Sequence, residues 1–568
     1  MKYIFLSLFM TTVMNFSANS QINLQWANSI GGANEERIYS VAVDDSQNVY
    51  STGHFRGTVD FDPGVNVFNL TSSSSTIDVF ITKFDGGGNL IWAKRIEGTS
   101  SYGIALDAAN NVYVTGYFNG TGDFDPGPGI FNLTSGAPSA MFICELNSNG
   151  NFVVAKKMGE RAIGKSLDFD NQGNVFVTGF YEGISDFDPT TSVNNLVSAG
   201  NKDVFICKYD EMLNLVWAKS MGSSSSFGDF SNSISVDSFG AVLITGMFSG
   251  EMDFDPDSAV FTMTANGSYD MYVAKFSSSG GLIWAKQMGG GLQEEASSIK
   301  TDSLGNSYIT GYHRGLADFD PSNNIYNLYS DSNEVSIFVI KLDSLGALTW
   351  AKGFTGPGFG FGNALSIDNA LNVYITGYFS DTLDFDPNAG TFNLATTGSF
   401  DMFLCKLDNS GNLDWVKDFK ALSGALPNAM AIDLHNNIIL AGDFDNVVDF
   451  DCGPNTFNLS PVGQVDAFVI KLKPTVAGVG QMFTDIQIDV YPNPNNGMFA
   501  VWLKNLPISD SKIDFLDITG KLLMTINREL GPESEEISFD CSLFENGLYF
   551  LRIYSQSHYI THKILINK

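Results

Sequence analysis

The chain has 568 residues, 44% hydrophobic and 16% charged, which is the balance of a folded protein with room for more than one domain. A net charge of −31 argues against nucleic-acid binding, since affinity for phosphate backbones comes mainly from Lys and Arg. Short apolar runs separated by Gly, Ser, Thr and Asn predict many strands joined by turns.

The chain opens with a predicted signal peptide, residues 1–20. Lys2 is followed by the apolar stretch Tyr3 to Met14 and by Ala18-Asn19-Ser20, so cleavage is expected between Ser20 and Gln21. That apolar stretch is shorter than the ~20 residues a bilayer-spanning helix needs, and the mature chain is expected to carry no transmembrane segment.

Internal repetition then dominates. The string Asp-Phe-Asp-Pro begins at Asp60, Asp123, Asp186, Asp253, Asp318 and Asp384, and a seventh copy at Asp449 carries Cys452 in place of the proline. A glycine read as ending a strand recurs at Gly53, Gly116, Gly179, Gly246, Gly311, Gly377 and Gly442. Nine residues before each stands an aspartate, from Asp44 to Asp433, suited to capping a hairpin turn. The first copy reads as strands Ile38 to Val43, Asn48 to His54, Asp78 to Phe84 and Leu90 to Arg95. A repeated four-stranded antiparallel unit is a propeller blade, so residues 21–473 are expected to form an all-β, seven-bladed β-propeller.

Fourth strands are marked by Trp92, Trp217, Trp284, Trp350 and Trp415, with Val154 in the second copy. The seventh copy lacks a fourth strand, while a spare one, Asn23 to Ala27 with Trp26, precedes the first. The N-terminal strand is therefore expected to complete the last blade and remove an open edge. The tryptophans are read as packing between blades. Cys144, Cys207 and Cys405 share one repeat position and are read as buried core thiols, and Cys452 and Cys541 are left unpaired.

The segments Asn111-Val112-Tyr113-Val114-Thr115-Gly116, Asp203-Val204-Phe205 and Trp217-Ala218-Lys219 resemble the SBBP-type β-propeller repeat of bacterial surface proteins. That resemblance, over about Asn23 to Leu472, implies a fold and an extracytoplasmic setting but no single activity.

After a linker, residues 474–484, the chain carries Tyr491-Pro492-Asn493-Pro494-Asn495-Asn496-Gly497, then Asp517-Ile518-Thr519-Gly520-Lys521, then Asn546-Gly547-Leu548-Tyr549, and ends on His562-Lys563-Ile564-Leu565-Ile566-Asn567-Lys568. In order and spacing these are similar to the type A C-terminal sorting domain of the type IX secretion system. The resemblance covers residues 485–568, where alternating strands predict a small Ig-like β-sandwich. It points to Pro492, Pro494, Gly497, Gly520, Gly547, Tyr549 and Lys563 as motif residues, to the type IX machinery as partner, and to a secreted or outer-surface location.

Chemistry is less legible. In an extended segment the two aspartates of each Asp-Phe-Asp-Pro project to one side. Asp60 with Asp62, Asp123 with Asp125, Asp186 with Asp188, Asp253 with Asp255, Asp318 with Asp320 and Asp384 with Asp386 are thus candidate calcium ligands. The alternative is that these aspartates cap a turn above a packed Phe. No nucleophile elbow, phosphate loop or zinc-protease helix is present, and the five histidines are scattered. The expected role is a binding module for a glycan or a surface protein; a polysaccharide hydrolase or lyase and a structural matrix protein are the alternatives. The variable loops 222–231, 289–296 and 353–363 are the expected sites of specificity.

Overall fold

The structure is a computed structural model and describes residues 21–73, 77–330, 334–475, 487–504, 509–517, 521–530, 535–555 and 558–568. All regular structure among these residues is β-strand. Two compact units are present, one spanning Ile22–Pro474 and one containing Thr475–Lys568.

In the first unit one antiparallel module recurs. Its first copy comprises Glu36–Val43, Val49–Phe55, Asp78–Phe84 and Leu90–Ile96, hydrogen-bonded in that order. The second and third strands are buried along almost their whole length, whereas the first and fourth alternate. A sheet covered on both faces favours continuous apolar runs in its central strands, which explains segments such as Asp-Val-Phe-Ile-Thr-Lys-Phe. The core lies between sheets rather than within one. Tyr50, Ile81 and Trp92 of the first module share an apolar cluster with Val112, Val114 and Phe142 of the second. Ala441, Ala467 and Val469 of the last module share another with Ile38, Val49 and Phe80 of the first.

The repeated glycine lies inside the second strand, not at its end as expected. Opposite it the first strand carries a β-bulge: pairing steps from Ile38↔Gly53 to Ser40↔Thr52, skipping Tyr39. A Cβ on Gly53 would fall 1.8 Å from the Arg37 carbonyl oxygen, and one on Gly377 1.8 Å from that of Phe361. The glycine is there so that the bulged backbone can approach.

Fourth-strand tryptophans bind the next module. Five of the six indole N–H groups donate to a carbonyl in the following third-to-fourth-strand turn: Trp26 to Gly86 (3.1 Å), Trp92 to Ser148 (3.4 Å), Trp217 to Ser278 (3.1 Å), Trp284 to Ser344 (3.2 Å) and Trp350 to Asn409 (3.1 Å). A turn glycine lies against the ring, and a Cβ on Gly411 would meet Trp350 at 3.1 Å. In the module where Val154 replaces tryptophan, the following turn has Leu213 at φ 56° where its counterparts have glycine. Leu213 is fully buried in the cluster against which Val154 packs, so a larger turn residue fills the space of the missing ring. Trp415 breaks the series: its Nε1 is buried without a hydrogen-bond partner among the described residues. The turn it would meet is replaced by the two ends of the repeat region.

The N-terminal strand, Gln21–Gly32, lies beside Asp466–Thr475 in the sheet order, completing a four-stranded set with Ala425–Ile432 and Ile438–Phe444. It runs longer than the expected Asn23 to Ala27. Its end continues past the sheet, pairing Gly31 with Asp60 and Gly32 with Val59 of the next module.

In the second unit, Gln487–Tyr491, Met498–Lys504 and Glu535–Asp540 form one sheet. Ser509–Leu516, Leu522–Leu530, Gly547–Ser555 and His558–Ile566 form another. Phe499, Val501 and Phe539 of the first sheet share a core with Phe515, Leu551 and Ile564 of the second.

Candidate functional site

The Asp-Phe-Asp-Pro segments are two-stranded ribbons rather than plain connections, as in Thr58–Asp60 paired with Asn69–Thr71. Asp60 Oδ1 accepts the N–H groups of Asp62 (3.1 Å) and Phe68 (2.8 Å), and Asp62 Oδ1 accepts that of Gly64 (2.8 Å). The pattern repeats at Asp123 with Asp125, Asp186 with Asp188, Asp253 with Asp255, Asp318 with Asp320, and Asp384 with Asp386. It holds equally at Asp449, where the proline is absent. Phe61 and its counterparts are fully buried beneath. The paired carboxylates therefore face different backbone donors, and the capping alternative describes these bonds. No group of three or more His, Cys, Asp or Glu is placed to hold a metal ion among the described residues. The ribbons also stand beside fourth-strand ends, as in Gly222↔Asp253 and Gly289↔Asp318.

First strands line something else. A cavity of about 510 Å³ is bounded by residues from Tyr39–Val43, Tyr102–Leu106, Lys165–Asp168, Asn232–Ile234, Ser297–Thr301, Asn363–Ile367 and Asn428–Ile432. At one end stand the seven bulge residues Tyr39, Tyr102, Lys165, Asn232, Ser297, Asn363 and Asn428. A bulge re-aims one side chain per repeat, and here it aims one per module into the cavity.

Some of these residues tie neighbouring modules together. Asn232 Nδ2 donates to the Ala296 carbonyl (3.0 Å), Asn363 Nδ2 to that of Pro427 (3.0 Å), and Asn428 Nδ2 to that of Ile38 (2.9 Å). The others carry aromatic and charged groups. Tyr39 lies 4.9 Å from Tyr102, which stacks on Tyr117 at 6.1 Å, and the Lys165 ammonium sits 4.2 Å from the Tyr102 ring centre. Further round, Glu295 accepts from Asn232 (3.0 Å) and from the Tyr312 hydroxyl (2.8 Å). Tyr312 contacts Phe361, which stacks on Tyr378 at 5.0 Å.

Burial in this channel pulls Lys165 below the usual lysine range, with the Glu295 charge opposing it. Burial raises Glu295, against the hydrogen bonds from Tyr312 and Asn232. Deeper in the channel burial also raises Asp168, which accepts the Val236 N–H at 2.8 Å while Lys300 pulls the other way.

Sequence reasoning missed this mouth. The signal was present: Tyr117, Phe180, Tyr312 and Tyr378 each follow the repeat glycine. Of the variable loops, 222–231 presents exposed Phe227, against which Tyr269 packs, and 353–363 supplies Phe359 and Phe361.

In the second unit the structure brings the Pro-rich motif to the last strand. Asn493 Nδ2 donates to the Lys563 carbonyl (2.7 Å), the Leu565 N–H donates to Asn493 Oδ1 (2.9 Å), and the Asn495 N–H donates to the Leu565 carbonyl (2.9 Å). Pro492 and Pro494 both follow cis peptide bonds, and Gly497 has φ 96° with Ser542 Cα 2.8 Å from where its Cβ would be. Tyr549 stacks on Phe515 at 5.1 Å and donates its hydroxyl proton to the Glu545 carbonyl, just before Gly547. Gly520 and Ser20 lie outside the described residues, whereas Gln21 begins the first described strand.

Comparison with known proteins bears on the repeat and on the tail. An uncharacterised WD repeat-containing protein of Acanthamoeba polyphaga mimivirus is 25% identical over 513 residues, covering 74% of this chain and 36% of that protein. The regulatory protein FlaEY of Caulobacter vibrioides is 26% identical over 139 residues, covering 24% of this chain and 14% of that one. The chain thus spans about a third or less of the length of these curated relatives. Among solved structures, the Dos1 propeller aligns at 9% identity over 79% of this chain and 95% of its own, with a TM-score of 0.38. The repeat-containing relative fits a β-propeller repeat protein. Residues 489–567 match the family model of the secretion system C-terminal sorting domain, so the chain carries a type IX sorting tail and is a secreted or cell-surface protein.

Proposed function

We propose that the chain is an exported, closed seven-bladed β-propeller that binds a glycan or another protein at the channel mouth bounded by the bulge residues. In this reading residues 1–20 are a leader cleaved at Ser20–Gln21, residues 21–473 the propeller, residues 474–484 a linker, and residues 485–568 an Ig-like sandwich read by the type IX machinery.

Closure is supported by contacts that treat the last and first modules as ordinary neighbours. The Asn428-to-Ile38 hydrogen bond, between residues 390 apart in sequence, repeats the Asn232-to-Ala296 bond between consecutive modules. The first strand of the last module packs on Glu36–Val43 as consecutive first strands pack on each other.

Binding rests on one observation above all. The bulge position holds seven residues of four kinds within an otherwise uniform repeat, and it places partly buried Tyr39, Tyr102 and Lys165 along a cavity. The cavity falls within the range of about 300–1,000 Å³ typical of ligand sites. Recognition belongs where the frame is constant and the side chains differ. The test is a glycan array and a surface-protein screen with the full chain beside a Tyr39→Ala/Tyr102→Ala variant. Binding by the native chain that the variant loses supports the proposal. Equal binding by both moves the site elsewhere.

A further inference from the structure

Lys165 lines the cavity and differs from the paired lysines of the repeat. Lys208 pairs with Asp170 at 3.1 Å and Lys471 with Asp433 at 3.4 Å, all four side chains being nearly inaccessible. Lys165 forms no ion pair among the described residues, although the chain carries 62 acidic residues against 31 basic ones. Glu295, the carboxylate that acts on it electrostatically, has its two oxygens occupied by Asn232 and Tyr312. The ammonium rests over the Tyr102 face, both residues line the cavity, and the ammonium makes no hydrogen bond among the described residues. Beside it, the planes of Tyr39 and Tyr102 open at 54°, leaving an apolar, angled wall with phenolic edges.

We propose that Lys165, Tyr102 and Tyr39 form a subsite for a carboxylate-bearing sugar, a uronic-acid unit of an extracellular polysaccharide. The proposal rests on the channel mouth being the binding face. A carboxylate gives Lys165 the charge-assisted partner it lacks, in a channel where partial burial strengthens the interaction. With Tyr102 held between Lys165 and Tyr117, the Tyr39 ring set at an angle to it is the amphipathic surface that matches the C–H face of a pyranose ring. The net charge of −31 repels densely charged polyanions at long range. One carboxylate reaching Lys165 is governed by its immediate surroundings instead. The ligand is thus a sparsely charged acidic saccharide rather than a nucleic acid or a heavily sulfated chain.

Calorimetry on the full chain tests this with three probes at fixed ionic strength: digalacturonate, its neutral counterpart galactobiose, and a short peptide with a free C-terminal carboxylate. Digalacturonate is expected to bind about tenfold or more tightly than galactobiose, a difference of about 1.4 kcal/mol or more. Lys165→Met should erase that preference, and Lys165→Arg, which keeps the charge, should retain most of it. Circular dichroism and melting of each variant establish that it folds, and Tyr102→Ala, expected to weaken digalacturonate binding, serves if Lys165→Met does not. Equal affinity for the two sugars, or a preference that survives Lys165→Met, overturns the subsite while leaving a glycan-binding mouth. Binding of the peptide with neither sugar overturns the saccharide assignment. Silence with all three probes, together with a negative array, removes the mouth as a binding face as well.

Discussion

The two ends of each module are built on opposite principles. At the turn end every copy repeats one solution. The Asp170 carboxylate accepts the Gln172 and Asn174 N–H groups, the Asn174 side chain and the Lys208 ammonium, and its counterparts from Asp44 to Asp433 cap their turns in the same way. Burial raises the Asp170 pKa, but these donors prevail and hold it below the ordinary carboxylate value. At the mouth end the backbone repeats and the side chain does not, so Tyr, Lys, Asn and Ser occupy equivalent bulges. The contrast teaches that the repeat keeps one solution where a carboxylate must satisfy its own turn, and varies the side chain where the bulge faces the cavity and the next module.

Four experiments break or sharpen that contrast. The largest effect is expected from Lys208→Met, which leaves the Asp170 charge its turn donors but no countercharge in a nearly inaccessible site; removing one partner of a buried pair costs about 3–5 kcal/mol. Denaturant melts should register it, and a loss near zero would mean the turn end tolerates what the mouth does. Val154→Trp comes next. It restores the common residue but meets buried Leu213, and overpacking costs about 1–3 kcal/mol. Adding Leu213→Gly should recover most of that loss, and a double-mutant cycle without coupling would refute the compensation.

The third experiment concerns pH. Burial, aided by the Asp270 charge, lifts Glu294 from 4.5 to about 8, and Glu36 rises to about 7 by burial beside Asp466. Below about pH 4.5 these groups are protonated in both folded and unfolded states. From there to about pH 8 only the folded state keeps their protons, so stability from this source falls as pH rises. Glu294→Gln should therefore melt higher than the native chain at pH 8 to 9, by on the order of a few degrees, and no higher at pH 4.5. Buried His54 and His313, lowered from 6.5 to about 4, act in the opposite sense, removing stability as pH falls from 6.5 to about 4. The smallest effect concerns calcium. With their oxygens facing backbone N–H groups, Asp60, Asp62 and their counterparts should give no melting shift at millimolar calcium. A clear rise would restore the cation reading.

Much of the architecture was legible because repetition is a one-dimensional signal. The four-strand unit, the spare N-terminal strand with Trp26 and the capping aspartates all follow from spacing, and the structure extends them by a few residues. The glycine was read as a strand end because a bulge in the facing strand leaves no mark in its own sequence, only a required absence of Cβ. The ribbons were read as connections because pairing between Thr58–Asp60 and Asn69–Thr71 bridges a turn of irregular composition.

The site was far less legible. Tyr39, Tyr102 and Lys165 sit 63 residues apart in sequence at a position that alternation alone would assign to one face or the other. The sequence by itself determined that a module recurs, which strands it contains and that its tail directs secretion, because each of these is written in local spacing and motif. Only the tertiary structure decided that seven bulges converge on one cavity, and that Lys165 lies over Tyr102 without an acidic partner. Convergence of distant residues depends on how sheets stack, and no single repeat encodes that on its own.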